Sequence, residues 1–411
     1  MVKNMTISTE VYGKDLNYLK RMNRVAILNI LRSMGPLSKT QLAQMSNLNN
    51  NTILNIIDYF IKKDIVVSVG LRRTDAGRKK IHFRINENFG YSIGIDLGAS
   101  HISVIIINLE GKIILEKTYN YRFGLNSSIL LEKIISLTQN IISQSEIDEN
   151  KILGIGFSAP GFFDNRSGIW KQAVNINEWK SIPIRKILQN QFTKDIYLQD
   201  SSRSMALSEF WYGKGKKYNN LIFIDIGDGI GMGIIINQAL YEGYGQKSGE
   251  IGHLSVEENG RRCNCNKYGC LETVASGKSI VNIVQEKIRS GYKSKILDLV
   301  NNHIDAITPI DIVEAAGLND NLAIEVLQNA GNKIGKAISH VINLFNPELI
   351  VIGGQLSQAG KYLIDPIHKA VNQYSLSELL QDVTITLSST GPLSAARGAA
   401  TITINDKIFS L

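Results

Sequence analysis

Every cysteine of this 411-residue chain, Cys263, Cys265 and Cys270, falls within one short stretch, with His253 just upstream. The spacing is His-x9-Cys-x-Cys-x4-Cys. Three soft thiolates and one imidazole make a complete tetrahedral set for zinc with no position left for water, the pattern of a structural site. An odd number of cysteines so tightly spaced closes poor disulfide loops. The expectation is a structural Zn2+ on His253, Cys263, Cys265 and Cys270. Reduced, metal-binding thiols fit a cytoplasmic protein. Met1 to Lys20 has no apolar signal-peptide core, and no run of about twenty apolar residues offers a membrane span.

Two carboxylates, Glu250 and Glu272, flank the four ligands. A metal knot fixes both relative to His253, and carboxylates held rigidly beside an imidazole suit the hydroxyls of a sugar.

The net charge of +8 is unevenly placed. Residues 1–85 hold fifteen Lys/Arg and five Asp/Glu, whereas the remainder holds thirty and thirty-two. A basic module joined to a near-neutral body implies a polyanionic partner at one end only. Leu16 to Met34 carries a helical apolar stripe that stops at Gly35-Pro36. Ser38 can cap a helix from Lys39 to Met45, with Gln41 completing a capping box. A turn at Ser46 to Asn49 leads to a third helix from Asn50 to Lys63. Ile65 to Val69 and Ile81 to Ile85 then read as two strands around a basic turn. This is a winged helix-turn-helix for double-stranded DNA. Asn49, Asn50, Asn51, Thr52 and Asn55 belong to the recognition helix or its start and are assigned to base edges. Lys39, Arg72, Arg73, Arg78, Lys79 and Lys80 are assigned to phosphates.

Beyond Asn86, strands alternate with helices. Tyr91 to Leu97 and His101 to Leu109 form an apolar hairpin around Asp96-Leu97-Gly98-Ala99-Ser100. Leu221 to Ile226 and Met232 to Ile236 repeat that idea around Gly227-Asp228-Gly229-Ile230-Gly231. One acidic, glycine-turned hairpin in each half suggests two α/β lobes and a cleft.

Glu250-x-x-His253 followed by Cys263-x-Cys265-x4-Cys270-Leu271-Glu272 resembles the signature of the ROK family, which contains sugar kinases and sugar-responsive transcription factors. The likeness runs from Leu37 onward, and Ala76-Gly77-Arg78-Lys79 is similar to the wing tip of the family's repressors. It implies an α/β fold, an N-terminal winged helix-turn-helix followed by a two-lobed, actin-like (ribonuclease H-like) sugar-kinase body. The expected domains are 1–86, the DNA-binding head; 87–200 with 385–411, the first lobe; and 201–384, the second lobe, with the zinc site and oligomerisation helices. It also implies sugar binding by Asn175, Asp200, Glu250, His253 and Glu272. In the family's kinases the residue matching Asp200 is the general base.

Two readings follow. ROK kinases resemble Asp-x-Gly-Gly-Thr-Lys in the first loop, where this chain has Asp96-Leu97-Gly98-Ala99-Ser100-His101. In the second loop, Asp228 puts a carboxylate where the charge of a triphosphate would sit. At an effective dielectric of ~20, two unit charges ~4 Å apart repel by about 4 kcal/mol. These loops favour a regulator without kinase activity, a dimeric or tetrameric repressor on a palindromic operator that answers to a sugar or sugar phosphate. The alternative is a sugar kinase with an appended DNA-binding head, with Asp200 as its base.

Overall fold

The computed structural model describes residues 16–73, 79–121, 126–173 and 176–410. The chain divides into two compact units, Met1–Phe89 with Ile404–Leu411 and Gly90–Thr403.

In the first unit, helix Leu16–Met34 buries Ile27, Leu28 and Leu31, and the chain turns at Gly35 with φ of 77°. Ser38 caps helix Lys39–Ser46: its hydroxyl accepts from the Gln41 N–H, and the Gln41 side chain accepts from the Ser38 N–H at 2.9 Å. Asn47 takes the left-handed conformation that ends this helix, and Asn49 opens helix Asn50–Lys62. Ile53, Ile56, Ile57 and Phe60 form the buried face of that helix. Strands Val66–Arg73 and Lys79–Ile85 pair antiparallel as the wing, and Leu37–Ser38 adds a third strand on the far side of the second.

The last eight residues depart from the sequence expectation, which put them in the first lobe. They group with the N-terminal unit. Ile408 and Phe409 are buried there, the Arg32 guanidinium lies 5.9 Å from the Phe409 ring, and Arg21 Nη2 donates to the Ser410 carbonyl at 2.6 Å. Two apolar side chains and a cation-bound carbonyl anchor the segment to the first helix.

The second unit holds two five-stranded sheets built to one plan. The first runs Ile196–Asp200, Ile152–Ala159, Tyr91–Leu97, His101–Asn108, Ile113–Asn120. The second runs Thr384–Leu387, Leu349–Gly353, Leu221–Ile226, Ile230–Ile236, Ala239–Leu240. In each, two strands run parallel to a central one that also begins a three-stranded antiparallel meander. The repeat visible in the two glycine-turned hairpins therefore extends through the whole topology. Because Thr384–Leu387 pairs with Leu349–Gly353, the second lobe's sheet runs past residue 384, where the sequence reading ended that lobe. A small sheet of Phe162–Asp164, Ile169–Ala173 and Ile176–Ile182 is inserted in the first lobe.

Helix Ser394–Ile404 lies directly on the first sheet. A Cβ on Gly94 would stand 1.9 Å from the Ala396 carbonyl oxygen, and one on Gly156 would stand 1.9 Å from that of Ala399. Backbone meets backbone here, so no side chain can move aside. Gly156→Ala should cost about 2–4 kcal/mol in urea unfolding. Gly317→Ala, with nothing within 4 Å, should be neutral or stabilising by about 0.5 kcal/mol. Equal effects at the two sites would contradict this packing.

Candidate functional site: an acidic cleft beside a thiol cluster

The second unit contains a cleft of about 780 Å³, lined from both lobes. Each glycine-turned hairpin contributes its loop, and the carboxyl end of strand Ile196–Asp200 contributes Asp200 and the start of the helix that follows. Ligand sites in parallel α/β sheets form at such strand ends because loops and helix starts converge there.

Four of the five residues expected to bind sugar line this cleft: Asp200, Glu250, His253 and Glu272. Asn175 lies outside the described residues. Asp200 N-caps helix Ser201–Tyr212, its Oδ1 accepting from the N–H groups of Ser202 at 3.0 Å and Arg203 at 3.2 Å. Burial raises its pKa, against the opposing charge of Arg203. Glu250 is pushed up to about 7, first by burial and then by the charge of Asp200. Glu272 begins a short helix two residues after Cys270, and its Oε2 accepts from the Ile230 N–H at 3.2 Å. One carboxylate thus ties the thiol segment to the second glycine loop.

The thiol segment folds as its spacing requires. The ligand atoms of His253, Cys263, Cys265 and Cys270 all lie within 4.8 Å of one another. Cys263 Sγ is 3.6 Å from His253 Nδ1, and Cys265 Sγ is 3.6 Å from Cys270 Sγ. A tetrahedral ion with ~2.3 Å bonds to sulfur and ~2.0 Å bonds to nitrogen needs ligand separations of about 3.5–3.8 Å. The cluster could therefore hold a metal ion. Burial, with help from the neighbouring thiols, pushes the Cys270 thiol up to about 12. Crowded thiols of this kind resist ionising unless a cation joins them. His253 Nε2 faces the other way, 4.0 Å from Glu250 Oε2.

The two phosphate-type loops have unusual contents. His101 Nε2 is 3.1 Å from Asp96 Oδ2, a contact that raises the histidine pKa against the effect of its burial. The imidazole lies over Gly98, where an added Cβ would be 2.2 Å from Cε1. Asp228 lines the same end of the cleft, and burial raises its pKa.

Several further residues position the cleft. Gln199 faces away from the cleft lining. Its amide donates to Glu242 Oε1 at 2.9 Å, and its carbonyl oxygen accepts from the Asp200 N–H and from Arg203 Nη1. Arg203 also donates to the carbonyls of Gln246 and Ser248, so the pair holds the 242–248 loop at the cleft wall. Buried Glu209 accepts from the Lys214 N–H and from Ser388, Ser389 and Thr390, anchoring the opposite rim. Asp225, the one carboxylate in the apolar strand Leu221–Ile226, lines the cleft and accepts from the Ser202 hydroxyl at 3.3 Å. That lone charge is a signal that was open to sequence reading.

On the N-terminal unit, Asn49 Oδ1 accepts from the Thr52 N–H at 2.8 Å, so its oxygen is taken by helix capping. Asn50, Asn51 and Asn55 are exposed on the same helix, and Thr52 is half-buried. Lys39 pairs with Asp58 at 3.4 Å, and Lys80 Nζ donates to Thr40 at 3.1 Å. Arg72 and Arg73 stand opposite Lys80 and Lys79 on the paired wing strands, and Arg78 lies outside the described residues.

The model of the ROK family matches residues 92–406. The chain belongs to the ROK family. It is 29% identical to the xylose repressor of Caldicellulosiruptor bescii over 95% of this chain and 97% of that one. It is 27% identical to the N-acetylglucosamine repressor of Escherichia coli over 95% and 94%. Among solved structures, a ROK family transcriptional regulator homologous to the E. coli MLC protein matches with a TM-score of 0.78 and 25% identity, covering 96% of this chain and 97% of that one. A ROK family glucokinase from Streptomyces griseus in complex with glucose and AMPPNP matches with a TM-score of 0.69 and 24% identity, over 76% and 99%. The kinase likeness shows the shared two-lobed fold. Among the described residues, no helix is long and apolar enough to cross a membrane.

The cleft charge also sets a pH dependence. Asp225 is pushed up to about 7, first by burial and then by the charge of Asp200. Its neutral form favours the folded state, so stability is fully present below the unfolded value near 3.8 and falls as pH rises through about 7. Asp225→Asn removes that loss. Between pH 4 and pH 8 the parent should lose about 2–4 kcal/mol more than the variant in urea unfolding. Parallel pH profiles would refute the assignment.

Proposed function

We infer that this chain is a sugar-responsive transcriptional repressor. Its N-terminal head binds DNA, and a sugar bound in the cleft between the lobes of its body alters that binding. The observation that carries the reading is one chain holding a winged helix-turn-helix together with a sugar-kinase cleft whose carboxylates remain while its phosphate loops are altered. Relatives covering nearly the whole chain that are named as xylose and N-acetylglucosamine repressors support it.

Asn50, Asn51 and Asn55 present amides that suit adenine edges in the major groove, and Arg72, Arg73, Arg78, Lys79 and Lys80 suit phosphates. A dimer or tetramer would place two such heads on the half-sites of a palindromic operator. Asp200, Glu250, His253 and Glu272 supply acceptors and one donor for sugar hydroxyls, with Asn175 completing the set. A ligand shifts the equilibrium only by binding one conformation more tightly, so the sugar must prefer the state with weaker operator affinity.

The cysteine cluster is read as a structural zinc site. When bound there, zinc would be held by Nδ1 of His253 and by Cys263, Cys265 and Cys270, and would supply rigidity and no open coordination position. With Nδ1 so engaged, the remaining proton sits on Nε2, which becomes a donor facing Glu250 and the cleft.

The chain is read as lacking kinase activity. His101 stands where the family's kinases carry lysine and is paired to Asp96, while Asp228 adds negative charge at the second loop.

Gel-shift titration with DNA duplexes that the protein selects from a random-sequence pool tests the reading. The parent protein should bind, one or more monosaccharides should release it, and Asn51→Ala should weaken specific binding by about 1–3 kcal/mol per altered half-site. Sugar-driven phosphoryl transfer from ATP, with no DNA binding, would favour the kinase instead. Elemental analysis should find one zinc per chain, and Cys265→Ser should lose it.

A further inference from the structure

We propose that the cleft takes an unphosphorylated sugar and excludes its phosphate esters. This rests on the reading of the cleft as an effector site and narrows the effector's chemical class.

The first ground is charge. Asp96, Asp200, Asp225, Asp228, Glu250 and Glu272 line the cleft, and among the described lining residues there is no lysine or arginine. His101 opposes part of this charge, acting on both Asp96 and Asp228. His101 is engaged with Asp96, and His253 Nδ1 faces the thiols. Arg203 is buried beneath the wall, with its N–H groups on the carbonyls of Gln246 and Ser248 and on Gln199. Lys278 is near enough for its charge to act on Asp228, but it does not line the cleft.

The second ground is the backbone. A phosphate group in a glycine-loop site is normally held by free N–H groups and helix starts. Here five of those groups already have partners. The Ser202 and Arg203 amides donate to Asp200, and the Ile230 amide donates to Glu272. The Gly98 amide donates to the His101 carbonyl, and the Gly227 amide to that of Gly229. The His101 ring covers Gly98, the point at which a phosphate would approach the first loop.

Both grounds act in the same direction. Sugar hydroxyls need acceptors, and this cleft supplies carboxylates at several positions. A phosphate dianion needs positive charge, and the described lining offers it six carboxylates and no lysine or arginine. One like-charge pair at ~4 Å in a partly screened site can weaken binding on the order of a thousandfold.

Isothermal titration of the full-length protein provides the test, using matched pairs of probes. These are D-glucose with glucose 6-phosphate, N-acetyl-D-glucosamine with its 6-phosphate, D-mannose with its 6-phosphate, D-xylose with xylose 5-phosphate, and inorganic phosphate alone. At least one free sugar should bind, with its ester at least ~100-fold weaker. An ester binding as tightly as its parent sugar, or binding when the sugar does not, would overturn the proposal while leaving the effector-site reading intact. Silence from every probe would count against both. A second measurement uses Asp228→Asn, which should narrow the sugar-to-ester ratio by ~10-fold or more. A ratio left unchanged would show that charge at this loop is not what excludes the ester.

Discussion

One imidazole stands between the two chemistries of the body. His253 presents Nδ1 to the thiols, 3.6 Å from Cys263 Sγ, and Nε2 to Glu250, 4.0 Å from its carboxylate. The ring cannot rotate to improve one contact without losing the other. With a metal on the thiol side, its tautomer and its direction are both set. Glu250 sits three residues before it, and Glu272 follows the last cysteine by two. The acceptors proposed for a sugar are thus arranged by a short segment whose shape depends on the four ligand atoms meeting. Ile251 and Leu271 pack this segment into the core, and a metal bound there would add order beyond that packing.

The rest of the cleft depends on how its negative charge is accommodated. Asp200 rests on a helix start, Asp225 on the Ser202 hydroxyl, Asp96 on His101, and Glu272 on a backbone amide. These partners stabilise the carboxylates while using the donors that a nucleotide or phosphate would need. A kinase and a sugar-binding regulator can therefore share topology and differ in whether the loop amides and cations are free. The cleft carboxylates and the loop and helix-start amides that they engage form one arrangement.

Much of this could be read from the residues alone. Helix Leu16–Met34, the Ser38 capping box and the start of helix Asn50–Lys62 follow from local rules and lie where those rules put them. The thiol cluster and the two glycine-turned hairpins were visible because each is a short-range pattern. The contacts that were not visible join distant segments. Glu209 meets Ser388, Ser389 and Thr390 only once both lobes exist, and Gln199 meets Glu242 only when the 242–248 loop folds back. The grouping of Ile404–Leu411 with the N-terminal unit has the same cause, since nothing local distinguishes Ile408 and Phe409 from the end of a lobe helix. Asp225 is different. A carboxylate in the middle of Leu-Ile-Phe-Ile-Asp-Ile is conspicuous in sequence, and its place in the cleft explains it.

The central claim is that the thiol cluster, through His253, sets the sugar site. It is tested most directly by measuring sugar affinity in zinc-loaded and chelator-treated protein, with circular dichroism as a check that the lobes stay folded. Metal removal should weaken sugar binding at least ~10-fold, while the far-ultraviolet spectrum is kept, and added zinc should restore it. Unchanged sugar affinity in metal-free, folded protein would contradict the account.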